Sequence, residues 1–267
     1  MKYTKILALV LSAGLMLGTV SGCRKRIKPQ ATSVIKTEMT TSKESSEAMS
    51  SEENESSFSG DQKVKIDSEL QEKANTFVTN FVMQFFQDYD RETATIEQLL
   101  DFVHIYLKIN SYKSLKNETK GELSFETFSF AEAREIVVKY FGTGLDEVKC
   151  KTLPAPPSSY GDQPAGPFYA DGRIWYEGGA GESYSSIAIV DSIKNNEDGT
   201  LTLNFTKYTI DQQVYEELDD NGIKKYYKLT PDKAKADKTL EKGSNGTAVV
   251  GVSQSGDYFL MSYKTLK

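Results

Sequence analysis

The chain has 267 residues, with 32 basic and 38 acidic side chains, one histidine and two cysteines. Residues 61–267 hold 24 of the basic and 32 of the acidic groups, a net charge of −8 that repels phosphate backbones and argues against a nucleic-acid role. Structural zinc centres draw on four ligands, mostly Cys and His, and one His with two Cys scattered at positions 23, 104 and 150 does not supply such a set, so no metal and no cofactor is expected.

Lys2 and Lys5 precede an uncharged run from Ile6 to Val20, followed by the small residues Ser21 and Gly22 and then Cys23. This is the layout of a secretory signal, and the run is shorter than the roughly 20 residues a spanning helix needs. Val20-Ser21-Gly22-Cys23 resembles a bacterial lipobox. The resemblance implies that residues 1–22 are a signal peptide and that Cys23 becomes the lipid-modified first residue of a bacterial lipoprotein. Arg24, Lys25, Arg26 and Lys28 follow directly. Beside an acyl chain each adds about 1 kcal/mol of attraction to an anionic leaflet, whereas the positive-inside rule reads the same charges as favouring the cytoplasmic face.

Residues 23–60 read as a tether: Ala31 to Gly60 is dominated by Ser, Thr and Glu and has no helical or strand period. Treated as a flexible chain, Arg24 to Gly60 spans on the order of 35 Å and reaches roughly 120 Å when extended. Residues 61–267 are long enough for one sizeable core and are read as a single domain. With Cys23 acylated, Cys150 has no disulfide partner; in Val148-Lys149-Cys150-Lys151 it reads as the tail of a short strand and a buried, inert thiol.

Within the domain, Ser68 with Gln71 predicts a capping box, followed by an apolar stripe at Leu70, Ala74, Phe77, Val78, Phe81, Val82, Phe85 and Phe86. Asp88-Tyr89-Asp90 ends that helix. Thr95 and Gln98 open a second one carrying Leu99, Leu100, Val103, Tyr106 and Leu107, with His104 beside its apolar face. Leu123 to Phe128 alternate as a strand, and Ser129 with Glu132 caps a third helix through Ile136, Val137, Tyr140 and Phe141 that stops at Gly142. The Pro-rich stretch from Leu153 to Pro167 is a loop, and Tyr160, Asp162 and Gln163 within it are candidates to face a ligand.

Strands are expected at Phe168 to Tyr176, Tyr184 to Ile193 and Leu201 to Tyr208. A hairpin over Gln213 to Leu218 and Ile223 to Leu229 is expected to turn at Asp220-Asn221-Gly222. Lys233 to Glu241 reads as a short helix, and Ala248 to Ser253 with Tyr258 to Tyr263 as a terminal hairpin. Three N-terminal helices followed by a mainly antiparallel sheet make an α+β domain. Its order of elements is similar to the NTF2-like and cystatin-like folds, which implies a curved sheet wrapping a helix around a pocket.

No motif carries chemistry outright. Gly178-Gly179-Ala180-Gly181-Glu182-Ser183 lacks the Lys-Ser/Thr of a phosphate loop, and Gly181 to Ser185 misses the last Gly of a nucleophile elbow. A calcium loop begun at Glu217 would place Lys228 where a bidentate acid is required. Glu177 and Glu182 beside Trp175 and Tyr176 remain as a carboxylate pair with aromatics suited to a sugar. The expectation is therefore a lipid-anchored envelope protein acting by binding a cell-wall or envelope-protein ligand, with Tyr160, Asp162, Trp175, Tyr176, Glu177 and Glu182 as its candidate contacts. A glycan hydrolase and a solute-binding lipoprotein are the alternatives.

Overall fold

The computed structural model describes residues 63–86, 88–159, 161, 166–178 and 185–266. The expected signal peptide, Cys23 and the expected tether lie outside the described residues, and no helix among those described is long and apolar enough to cross a membrane.

The class is α+β, with the strands in two antiparallel sheets that interleave with the helices. Helix α1 (Ser68–Val82) is followed by β1 (Tyr89–Asp90), α2 (Ile96–Asn110), β2 (Lys116–Lys120), β3 (Leu123–Ser129), α3 (Phe130–Phe141) and α4 (Glu147–Cys150). Then come β4 (Phe168–Ala170), β5 (Arg173–Glu177), β6 (Ser186–Asn195), β7 (Leu201–Ile210), α5 (Gln212–Glu216), α6 (Asp220–Tyr227), α7 (Pro231–Ala236), β8 (Leu240–Val252) and β9 (Tyr258–Leu266). One sheet has the order β1-β9-β8-β7-β6 and the other β2-β3-β5-β4.

Local chemistry explains where expectation and structure part. The cap of α1 is Asp67, one residue before the expected Ser68, and its carboxylate accepts from Leu70 N at 2.8 Å. The helix stops at Val82, and Phe85, expected on its stripe, has φ 51° and is exposed. Thr95 caps α2 as expected, while the Gln98 amide bonds to the Asp88 carbonyl. On α3 the capping box of Ser129 and Glu132 is complete, and Gly142 closes the helix at φ 58°. Asp146 caps a turn of helix around Cys150 in place of the expected strand, and the thiol is fully buried. The one strand expected over Phe168 to Tyr176 is two, turned at Asp171 and Gly172, both with positive φ.

The expected hairpin at Asp220-Asn221-Gly222 is helical. Asp219 takes the amides of Asn221 and Gly222 and starts α6, while Asp211 starts α5 in the same way. Val214, Tyr215, Leu218, Ile223, Tyr226 and Tyr227 recur at helical spacing and cover Ile187, Ile189, Tyr208 and Ile210 of the sheet. Strand β2, Lys-Asn-Glu-Thr-Lys, has no apolar alternation because it is a charged edge strand, a composition that discourages further pairing.

The main core lies between α1, α2, α3 and the five-stranded sheet. Phe81 is at its centre, with Phe102 at 4.9 Å, Phe86 at 5.5 Å and Phe141 at 5.8 Å between ring centroids.

The opposite face of α1 buries polar groups. Gln71, Asn75 and Thr79 are all buried and step by four along the helix. They meet the free backbone of edge strand β6: Gln71 Nε2 donates to Val190 O (2.9 Å), Val190 N donates to Asn75 Oδ1 (2.7 Å) and Ala188 N donates to Thr79 Oγ1 (3.0 Å). Asn75 Nδ2 also serves the carbonyls of Tyr227 and Leu229, each at 2.9 Å, and so ties in the end of α6. Further along, Val64 N donates to Ile193 O, so the incoming chain continues the seal.

Unpairing a buried backbone group costs about 1–3 kcal/mol. Asn75→Ala strands Val190 N and two carbonyls, and we expect it to lower stability by about 3 kcal/mol or more. Urea unfolding checks this, the midpoint falling while the slope stays unchanged.

Candidate functional site

A groove of about 880 Å³ opens between α1, the end of α3 and the β8–β9 turn. That size lies within the roughly 300–1,000 Å³ of small-molecule sites. Three aromatic rings from three elements build it: Phe77 of α1 is 6.2 Å from Tyr140 of α3 and 5.7 Å from Tyr258 of β9. Phe259 joins them, its ring lying against Gly142 and Gly251. A Cβ at either glycine would come within 2.5 and 2.1 Å of that ring. Arg91 fixes the same corner, its guanidinium 5.7 Å from the Phe259 ring and its Nη2 donating to Gly142 O at 2.9 Å.

Two ammonium groups flank the rings. Lys73 Nζ is 4.6 Å from the centroid of Tyr258 and bonds to the Gly256 carbonyl, and Lys139 Nζ is 5.0 Å from that of Tyr140. Burial pushes the Tyr140 hydroxyl far above its usual range, with Tyr106 adding to the effect, and burial also raises Tyr258. Both phenols stay neutral at physiological pH. Val138, on the rim of the groove, is 49 % exposed.

Of the residues expected to form a site, Trp175, Tyr176 and Glu177 are among those described. Tyr160, Asp162 and Glu182 lie outside the described residues. Trp175 and Tyr176 are adjacent on β5, so their side chains leave on opposite faces of the sheet. Trp175 packs edge-on to Phe125 at 5.6 Å and donates Nε1–H to Ala170 O at 3.3 Å, contacts that engage it in the apolar cluster of the four-stranded sheet with Leu123, Phe125 and Phe168. Glu177 is exposed at the end of β5.

Tyr176 instead enters a buried polar cluster between α2 and the four-stranded sheet. Its ring stacks on His104 at 4.1 Å and its hydroxyl donates to Asp101 Oδ1 at 2.7 Å. His104 Nε2 is 2.7 Å from Glu126 Oε2, and Lys108 Nζ is 3.2 Å from the same oxygen. Burial pushes the His104 imidazole below its usual value, and the Glu126 contact offsets this in part. Burial raises Asp101, against the bond from Tyr176. Glu126 thus holds an imidazole and an ammonium on one oxygen, Asp101 joins through Tyr176 at the exposed end, and the group acts as a staple of α2 to β3 and β5. Among the described residues, no three His, Cys, Asp or Glu side chains are arranged to hold a metal ion.

In the sequence Phe77, Tyr140 and Tyr258 read as core and strand residues, and nothing there marks them as a ligand site. The signal that existed was Val138, an apolar residue off the buried stripe of α3.

As the only histidine, His104 gives one imidazole titration curve by NMR, and its midpoint is expected below 6.5. With the folded value depressed, this group's share of stability is complete above pH 6.5. It falls on acidification through 6.5, by at most about 1.4 kcal/mol per pH unit for one proton. His104→Gln should remove that component from the pH dependence of unfolding.

Compared with known protein families, curated protein sequences and solved structures, the chain matches none of them.

Proposed function

We propose that the chain is a lipid-anchored protein of the cell envelope, held at the extracytoplasmic face of the membrane, whose α+β domain binds a ligand and does not catalyse. The groove between α1, α3 and the β8–β9 turn carries this reading, since it combines the size of a ligand site with aromatic walls from three separate elements. The sequence at Val20 to Cys23 supports the anchor, and the Ser/Thr/Glu-rich stretch behind it supports a tethered domain able to reach cell-wall or envelope-protein ligands. An NTF2-like or cystatin-like cone is the architecture that accords with this role: a helix laid on an antiparallel sheet with an opening at one end. No observation favours glycan hydrolysis, and Glu182, the expected partner of Glu177, lies outside the described residues.

Gly144 lines the groove, and a Cβ there meets nothing within 4 Å. Gly144→Trp therefore fills the groove at little cost to the fold. In equilibrium binding to solubilised cell-wall fragments and to a detergent extract of envelope membranes, the unmodified chain should bind at least one and the variant should bind neither. Equal binding by the two proteins would place recognition elsewhere. Mass spectrometry of the mature protein should show a diacylated Cys23 as first residue, and an unmodified Met1 would contradict the anchor.

A further inference from the structure

The chemistry of the groove narrows its ligand. The side chains facing it from α1 and α3 include Lys73 and Lys139, and neither forms an ion pair among the described residues. Asp257 is the one acid of the lining, and it is already engaged within its own turn: Ser255 Oγ donates to Asp257 Oδ2 at 2.7 Å, and Asp257 N donates to Ser253 Oγ at 3.0 Å. Two cations without carboxylate partners thus stand over the rings in a domain whose net charge is −8.

An ammonium on an aromatic face retains donors for an incoming acceptor. Beneath the ammonium groups the lining is apolar: Phe77, Tyr140 and Tyr258 are buried rings, and Val138 exposes its methyls at the rim. Tyr140 and Tyr258 remain uncharged at any physiological pH, so no phenolate competes for the lysines. A charged head has its partners on the two walls, and an apolar body has its contact surface between them.

We propose that the groove binds an amphiphilic anion, with an apolar chain against Phe77, Tyr140 and Tyr258 and a carboxylate or phosphate head held by Lys73 and Lys139. This rests on the groove being the binding site. Phospholipids of the adjoining membrane and free fatty acids present the same chemistry.

Isothermal titration of the full chain with dodecanoate, dodecyl phosphate, dodecanol, dodecylammonium and inorganic phosphate, each below its micellar concentration, tests the assignment. The two amphiphilic anions should bind, more weakly as salt is raised. Lys73→Met and Lys139→Met should each weaken them by about tenfold or more, and Lys139→Arg should restore most of the loss. Phosphatidylglycerol vesicles competing for bound dodecanoate would assign the ligand to the membrane; their failure to compete, with dodecanoate still bound, would assign it to the free acid. Dodecanol binding as tightly as dodecanoate, or lysine variants that leave the anions unchanged, would overturn the anionic head. Inorganic phosphate binding as tightly as dodecyl phosphate would overturn the apolar body. In either case, loss of the bound probe in Gly144→Trp would show that the groove still binds, so that only the ligand class fails. Binding of no probe, or binding that persists in Gly144→Trp, would overturn the proposal.

Discussion

The fold depends on how the free edge of strand β6 is closed. An exposed edge presents unpaired N–H and C=O groups and invites pairing with another chain. Here Gln71, Asn75 and Thr79 of α1 take the place of a neighbouring strand. The substitution works because four residues of helix rise about 6.0 Å and two residues of strand about 6.8 Å, so Thr79 and Asn75 meet the amides of Ala188 and Val190, and the longer Gln71 reaches the carbonyl of Val190 as well. The mismatch, about 0.8 Å per step, accumulates. The match is confined to Ala188 and Val190, and beyond Val190 the edge passes to Val64. The register of β6 shifts at the same place, between Val190 and Ser192. The extra residue, Asp191, moves the outward position from Ala188 and Val190 to Ile193 and so lets the second partner follow the first.

This seal fixes the rotation of α1 about its axis, and the rest of the core follows from that rotation. With the polar stripe turned to β6, Phe81 points into the aromatic core. Lys73, Thr76, Phe77 and Asn80 then face α3 and β9 and become one wall of the groove. The second sheet is joined by a different device. His104 and Lys108 of α2 hold Glu126 through buried contacts and Asp101 holds Tyr176 through a partly buried one, so the two sheets are tied to the helical layer by hydrogen bonds as well as by apolar packing.

Much of this was legible along the chain. The stripe of Ala74, Phe77, Val78, Phe81 and Val82, the capping box of Ser129 and Glu132 and the terminal hairpin all depend on neighbours a few residues away, and they stand where periodicity and capping chemistry place them. What was hidden depends on distant partners. Gln71 fits a capping box with Ser68, yet its amide donates to Asn75 and to Val190, 119 residues away. Asn221-Gly222 fits a tight turn until Asp219 caps a helix over it, a choice decided by the apolar residues that α5 and α6 lay on β6 and β7. The candidate site was less legible than the fold. Its rings come from residues 77, 140 and 258, whose meeting no local pattern announces, while Trp175 and Tyr176, which looked like a patch, are parted by the two-residue period of their own strand.

The central claim is that side chains of α1 act as a strand on β6, and amide hydrogen exchange of the native chain tests it at single residues. The amides of Ala188 and Val190 have no strand beyond them, and their acceptors are Thr79 Oγ1 and Asn75 Oδ1. They are expected to exchange as slowly as the amides of the central strand β7. Exchange of these two amides at the rate of solvent-exposed loops would contradict the account.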